Sequence, residues 1–163
     1  MSVIVISKGS YSHGGEVARK VAKKLSYDCI SRDILITTSK RFNISELRLT
    51  RAYECSPSFL DKYTFGRDKY IKFIKAAILN ELAKDNMIYH GFAGHFFVSG
   101  VSHVLKVRIN ADMAERITYM MKRENLSKED AAKLVKKVDE RRTKWSMELY
   151  GIDTWDSRLY DLV

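Results

Sequence analysis

VIVISKGSYSHGGEVARKVAKKL, residues Val3 to Leu25, decides how the chain folds. Val3 to Ile6 is apolar at every position, the pattern of a strand covered on both faces in a parallel sheet. From Glu16 onward Val17, Val21 and Leu25 recur with Ala18 and Ala22 beside them, while Arg19, Lys20, Lys23 and Lys24 take the other side, which predicts an amphipathic helix. Between the two lies SKGSYSHGGE, Ser7 to Glu16. A glycine-bearing turn leading straight from a strand into a helix offers successive backbone N–H groups, and the helix's own free N–H groups and dipole reinforce them. The stretch therefore predicts an anion-binding loop.

The same alternation continues. Tyr27 to Ile30 is expected as a second short strand, and Asn43 with Glu46 as a capping box opening a helix over Ile44 to Glu54. Ile71, Ile74, Ile78 and Leu82 mark one side of a long helix. Asn86 to His90, ending in Gly91, and Val104 to Ile109 read as further strands. Asp112 and Glu115 open a helix carrying Ile117, Met120 and Met121, and Ser127 with Asp130 opens another that stops near Gly151. Strands alternating with helices predict an α/β fold, a parallel sheet wound on both faces. The 163 residues suffice for one domain with its own core.

Composition narrows the function classes. With 45% hydrophobic and 30% charged residues, 8 Gly and 1 Pro, the chain is neither disordered nor repetitive. A formal net charge of +9 points to an anionic partner without choosing among nucleotide, nucleic acid and an acidic surface. Cys29 and Cys55 have no CxxC spacing and no histidine pair nearby, so neither a disulfide framework nor a zinc site is expected, and the chain reads as reduced and cytoplasmic. No run approaches the roughly 18 apolar residues of a membrane span.

The loop, the segment MIYHGFAGHFFV (Met87 to Val98), the stretch INADMAERITYMMKRENLSKEDAAKLVKKVDERR (Ile109 to Arg142) and YGIDTWDSRLYDLV (Tyr150 to Val163) together resemble the cytidylate kinase-like proteins, a branch of the P-loop nucleoside monophosphate kinases. The resemblance implies a five-stranded parallel sheet with helices on both faces. It implies one domain over residues 1–163, with a phosphate loop after the first strand, a monophosphate-binding helical region at about 31–85 and a basic lid at about 125–150. The implied reaction is transfer of the γ-phosphoryl of ATP, with Mg2+, to a nucleoside monophosphate, with CMP or dCMP leading.

An ordinary loop of this class reads G-x-x-x-x-G-K-[ST], its lysine on the β- and γ-phosphates and its hydroxyl on magnesium. With Gly9 and Gly14 as the glycines, Gly15 stands at the lysine position and Glu16 at the hydroxyl position. Aligned by the following helix, the lysine position falls on Gly14. Neither register supplies a lysine, although the resembling branch commonly has loops of this kind. Nucleotide is expected against Lys8, Gly9, Ser10, Ser12, His13, Gly14, Gly15 and Glu16. Lys8 from the loop's other end, or protonated His13, is the candidate for the missing charge; Glu16 opposes an anion unless it points at magnesium or solvent. The alternative is that Glu16 is a first-turn residue of the helix and that Lys8 and His13 are solvated. No metal ligand is assigned to the protein.

On the last helix Ala131, Leu134, Val135, Val138, Trp145 and Leu149 form one apolar stripe with Arg142 inside it, and an inward guanidinium needs a partner. The resemblance places Asp139 and Arg142 on a VDxxR lid motif, with Arg142 stabilising the transferring phosphoryl. An ion pair between Asp139 and Arg142 is the structural alternative. Arg116 and Arg123 share a face of the preceding helix and match arginines of the family pattern, which completes the expected catalytic set. Arg32, Asp33, Arg48, Arg51 and Arg67 fall in the monophosphate-binding region by position.

The sequence also departs from the pattern. Gly91 is followed by Phe92 where the family tends to carry arginine, and Ser31 stands where a carboxylate is usual. His95 is expected to pack rather than catalyse. Two functions follow: a monophosphate kinase, or a nucleotide-sensing or interaction domain that kept the fold and lost catalytic groups. Specific nucleic-acid recognition by the Arg19 to Lys24 face is not expected. LYDLV, Leu159 to Val163, is expected as the fifth strand. The sheet face beside it is expected to be covered by a second copy of the chain or a partner, or else the chain is a domain of a longer protein.

Overall fold

The structure, a computed structural model, describes residues 2–54 and 67–163. Strands β1 (Val3–Lys8), β2 (Asp28–Ile30), β3 (Met87–His90) and β4 (Val104–Ile109) form one parallel sheet in the order β2-β3-β1-β4. Ile6 lies beside His90 and Val107, and Lys8 beside Ile109, so β1, β3 and β4 end together at one edge. The loop that follows β1 starts at this edge.

The period of two along each strand sends alternate residues to opposite faces. Val3, Val5, Met87 and Tyr89 face a core shared with helices α2 (Ile34–Phe42), α3 (Glu46–Glu54), α4 (Arg67–Leu82), α5 (Gly94–Phe97) and Trp145 of α7 (Lys128–Tyr150). Ile6 and Ile88 face α1 (Gly14–Leu25). A third cluster joins Met120 of α6 (Met113–Glu124) to Ala131 and Val135 of α7. The apolar stripe of α4 buries Ile71, Ile74, Ile78 and Leu82, as its spacing requires. Ser127 caps α7 by accepting from the Asp130 N–H, and Gly151, at φ 68°, closes it.

Three local expectations are corrected. In α1 the buried residues are Gly14, Ala18 and Ala22, while Val17 and Leu25 are 40% and 46% exposed. The contact face is turned by one position because the small residues let the helix lie close to the sheet. Asn43 does not open a helix. It closes α2 in the left-handed region, φ 52°, with its N–H on the Ser39 carbonyl, and α3 begins only at Glu46. Asparagine tolerates left-handed backbone, so it ends helices as readily as it caps them.

The third correction is the strand count: four among the described residues, against five expected. The segment from Leu159 to Val163 starts in a 3-10 turn (Ser157–Leu159), and Leu162 makes a single parallel bridge to Val107. Arg108 N–H donates to the Leu162 carbonyl at 2.8 Å, and Asp161 N–H to the Lys106 carbonyl at 2.8 Å. The Lys106 N–H is taken by the Asp161 carboxylate at 2.7 Å, where a ladder would use a backbone carbonyl. A side chain thus replaces one rung, and the pairing stops. Leu105 and Leu162 remain 43% and 59% exposed at this edge, the strip that a second copy or partner is expected to cover.

Candidate functional site

The loop is held from below by β4. Gly9 N–H donates to the Ile109 carbonyl at 2.9 Å, and the Ser12 hydroxyl donates to the carbonyls of Gly9 and Ile109 at 2.9 and 3.2 Å. Tyr11 and His13 are left-handed, φ 60° and 56°, which turns the chain sharply into α1. The His13 Nδ1 lies 3.1 Å from Glu16 Oε1, and its ring stands edge-on to Tyr119 at 4.4 Å. The hydrogen bond from His13 lowers the Glu16 pKa and holds that carboxylate on His13. Glu16 thus stays ionised, with its carboxylate turned to His13 on the exposed side of the first turn.

The charge missing from the loop is present in space. A methyl built on Gly15 would lie 3.3 Å from Lys8 Nζ, 3.4 Å from His90 Cε1 and 3.7 Å from Arg19 Nη1, and one on Gly14 would lie 2.7 Å from Lys8 Cβ. The Lys8 side chain runs along Gly14 and ends over Gly15, the position where an ordinary loop carries its own lysine. The two glycines leave it that path. Burial pushes the Lys8 ammonium down, and Arg142, Arg19 and Arg123 push the same way. No carboxylate pairs with Lys8 among the described residues.

Helices α6 and α7 clamp the loop from the other side. Arg116 is 3% exposed; its Nε donates to the Ser10 carbonyl at 2.7 Å, and its Nη2 reaches both the Ser10 hydroxyl and Asp139 Oδ2. The Ser10 hydroxyl donates to Asp139 Oδ1 at 2.6 Å. The alternative pair of Asp139 with Arg142 is thereby corrected, since both carboxylate oxygens serve Ser10 and Arg116. The buried Arg116 guanidinium has the stronger demand for an anion. Arg142 instead donates Nη1 to the Lys8 carbonyl at 3.0 Å and lies over the Phe92 ring at 5.4 Å. Burial lowers its pKa, with the Asp139 charge opposing. Arg123 meets Glu124 at 3.1 Å near the exposed end of α6, outside the clamp.

A cavity of about 210 Å³ opens beside the loop. Its walls are Lys8; Ser31 and Arg32 after β2; Tyr53 and Glu54 of α3; His90, Gly91 and Phe92 at the end of β3; and Arg141 and Arg142 of α7. Phe92 supports the Arg142 guanidinium, and its carbonyl accepts from the Tyr53 hydroxyl. Of the residues expected to hold a monophosphate, only Arg32 lines the cavity, paired with Glu54 at 2.8 Å. Asp33 precedes α2 and is exposed, Arg48 and Arg51 lie exposed on α3, and Arg67 is 3.9 Å from Glu148. His95 is a packing histidine as expected, buried with Nε2 3.2 Å from the Tyr160 hydroxyl, and burial pushes it down to about 3.

Sequence reasoning missed Arg19, Arg141, Tyr53 and His90. His90 had one signal, a polar residue ending an otherwise apolar parallel strand, where ligands of open α/β sheets bind. Among the described residues no group of three or more histidine, cysteine, aspartate or glutamate side chains is placed to hold a metal ion. Among the described residues no helix is long and apolar enough to cross a membrane.

The model of the cytidylate kinase-like family matches residues 3–163. The chain belongs to the cytidylate kinase-like family. No curated protein matches it. Among solved structures, this cytidylate kinase-like chain is similar to an uncharacterized protein from Eubacterium ventriosum, with TM-score 0.73 and 17% identity over 99% of this chain and 86% of that one. It is similar also to shikimate kinase from Bacteroides thetaiotaomicron, with TM-score 0.56 and 13% identity over 90% and 82%. Shikimate kinase from Acinetobacter baumannii in complex with shikimate gives TM-score 0.52 and 10% identity over 98% and 80%. At these identities the structural likeness shows the fold, that of P-loop kinases.

Proposed function

We propose that this cytidylate kinase-like protein holds the phosphates of ATP at the Gly9–Gly15 loop and transfers the γ-phosphoryl to a nucleoside monophosphate, CMP or dCMP first, seated in the adjoining cavity. The observation that carries the proposal is a converging set of cations with no carboxylate paired to them among the described residues. Lys8 and Arg19 meet at Gly15, Arg142 sits on the Lys8 carbonyl with its charge acting on the Lys8 ammonium, and Asp139 is engaged by Ser10 and Arg116. Desolvated like charges repel and are costly until an anion arrives. A polyphosphate supplies that anion, and the loop's backbone N–H groups complete its cradle.

Phosphoryl transfer of this kind needs positioning and charge neutralisation, with no covalent intermediate. Lys8 takes the part of the loop lysine, Arg142 neutralises the transferring group, and Arg32 and Arg141 face the acceptor. Bound ATP would supply the phosphoryl group and, with magnesium, the shielding of its oxygens. The protein offers that metal little: the Ser12 hydroxyl is bonded to two carbonyls and Glu16 to His13. Its ligands would come from the phosphates and water.

The same commitment of Ser12 and Glu16 favours a second reading, a catalytically impaired domain that senses nucleotide. Calorimetric titration with ATP and with CMP, at low salt and with magnesium, tests the first step common to both. Heat from each at submillimolar to millimolar concentration supports the site; none from ATP removes it.

A further inference from the structure

We propose that His90 is a specificity residue of the cavity: a neutral imidazole that hydrogen-bonds the uncharged part of the acceptor while the cations hold its phosphate. The inference rests on the cavity being the acceptor site. His90 ends β3, is 7% exposed and forms part of the cavity wall. Its Nδ1 is buried without a hydrogen-bond partner, and its Cε1 edge stands beside Gly15 next to the Lys8 ammonium. A buried ring nitrogen without a partner carries the desolvation cost of that group and gains when a ligand supplies the bond.

The other walls show what His90 adds. Lys8, Arg32, Arg141 and Arg142 are donors suited to phosphate oxygens. The Tyr53 hydroxyl is engaged with Tyr89 and with the Phe92 carbonyl, and Glu54 is held by Arg32. A neutral imidazole carries both a donor and an acceptor nitrogen, which the cations of this wall lack. Burial, Lys8 and Arg19 push His90 down to about 4 against the opposing pull of Asp33, so the ring is neutral at pH 7. The ligand this selects is a phosphate monoester bearing hydroxyl or amino groups, as the sugar and base of a nucleoside monophosphate do, in preference to bare phosphate.

The test compares CMP with inorganic phosphate by calorimetry on the whole protein, its His90→Phe variant, which keeps a ring and loses both nitrogens, and His90→Gln, which restores hydrogen bonding. Loss of one such bond is expected to weaken CMP roughly three- to tenfold in His90→Phe, leave phosphate unchanged, and be partly recovered in His90→Gln. The nitrogen resonances of the His90 ring in the parent protein should shift with CMP and not with phosphate. This readout decides the matter if His90→Phe melts early. Parent-like CMP affinity in His90→Phe with unmoved ring signals overturns the inference and leaves the acceptor cavity standing. Equal weakening of CMP and phosphate also overturns it, assigning His90 to the anion site. Phosphate binding with no CMP binding in the parent removes the acceptor reading, and this inference with it.

Discussion

Replacing Lys8 with methionine separates a binding role from a structural one, because the two properties should move in opposite directions. Methionine keeps the stem that runs along Gly14 and removes the ammonium over Gly15. A phosphate charge at 4 Å from that ammonium interacts by about 1 kcal/mol in bulk water and about 4 kcal/mol at an effective dielectric of 20. Lys8 is half-buried, between these limits. Lys8→Met should therefore weaken ATP by a factor on the order of 5 to 10³. The unliganded protein should gain stability, since a desolvated cation leaves the company of Arg142, Arg19 and Arg123. Each kcal/mol corresponds to about 2–4 °C in melting temperature at this chain length.

The pH dependence follows from the same shift. The folded-state pKa of Lys8 lies below the 10.5 of an ordinary lysine, so in the window between the two the unfolded chain binds more protons and the parent's stability rises with pH. The advantage of Lys8→Met is thus full near neutral pH and shrinks as pH climbs through that window. Calorimetry for ATP and thermal melts at two pH values check both arms. Parent-like ATP affinity together with a lower melting temperature would refute the assignment and make Lys8 a packing residue.

Arg142→Ala should lower turnover about 10²- to 10³-fold in a coupled assay, the usual cost of one charge-stabilising donor, and full turnover would remove Arg142 from the chemistry. Asp139→Ala leaves the buried Arg116 without its anion and should cost about 3–5 kcal/mol in a urea titration, whereas an unchanged midpoint would mean that the clamp adds little. In acid, His90 and His95 stay neutral when folded, at about 4 and about 3, against 6.5 for an ordinary histidine. The unfolded chain takes up those protons first, so stability falls as pH drops from 6.5 toward 4 and 3. The fall should be shallower in His95→Gln than in the parent, and identical slopes would contradict the shift.

What could be read from the sequence was what local chemistry decides. The run Val3 to Ile6 reads as a doubly covered strand, Ser127 and Gly151 bracket α7 with a side-chain cap and a left-handed stop, and the isoleucines of α4 are spaced for one face. Where one residue type serves two backbone roles the reading failed: Asn43 ended a helix that had not been recognised. The site was less legible because its contacts are tertiary. Lys8 and Gly15 meet only because α1 turns back over the end of β1, and the choice of Arg116 over Arg142 by Asp139 depends on how α6 and α7 pack across the loop. The fifth strand stopped at one bridge through a single side chain, Asp161, which composition does not distinguish from a surface charge.

The central claim is that the cation-lined loop and cavity together carry phosphoryl transfer between nucleotides, and its most direct measurement is ADP release coupled to a spectrophotometric readout, with Mg2+ and ATP, across CMP, dCMP, UMP, AMP and GMP. The account predicts ADP formation that depends on added monophosphate, is greatest with CMP or dCMP, and is lost with Arg142→Ala. ATP and CMP binding with no monophosphate-dependent ADP release from the parent protein would contradict it and leave nucleotide sensing as the function of the site.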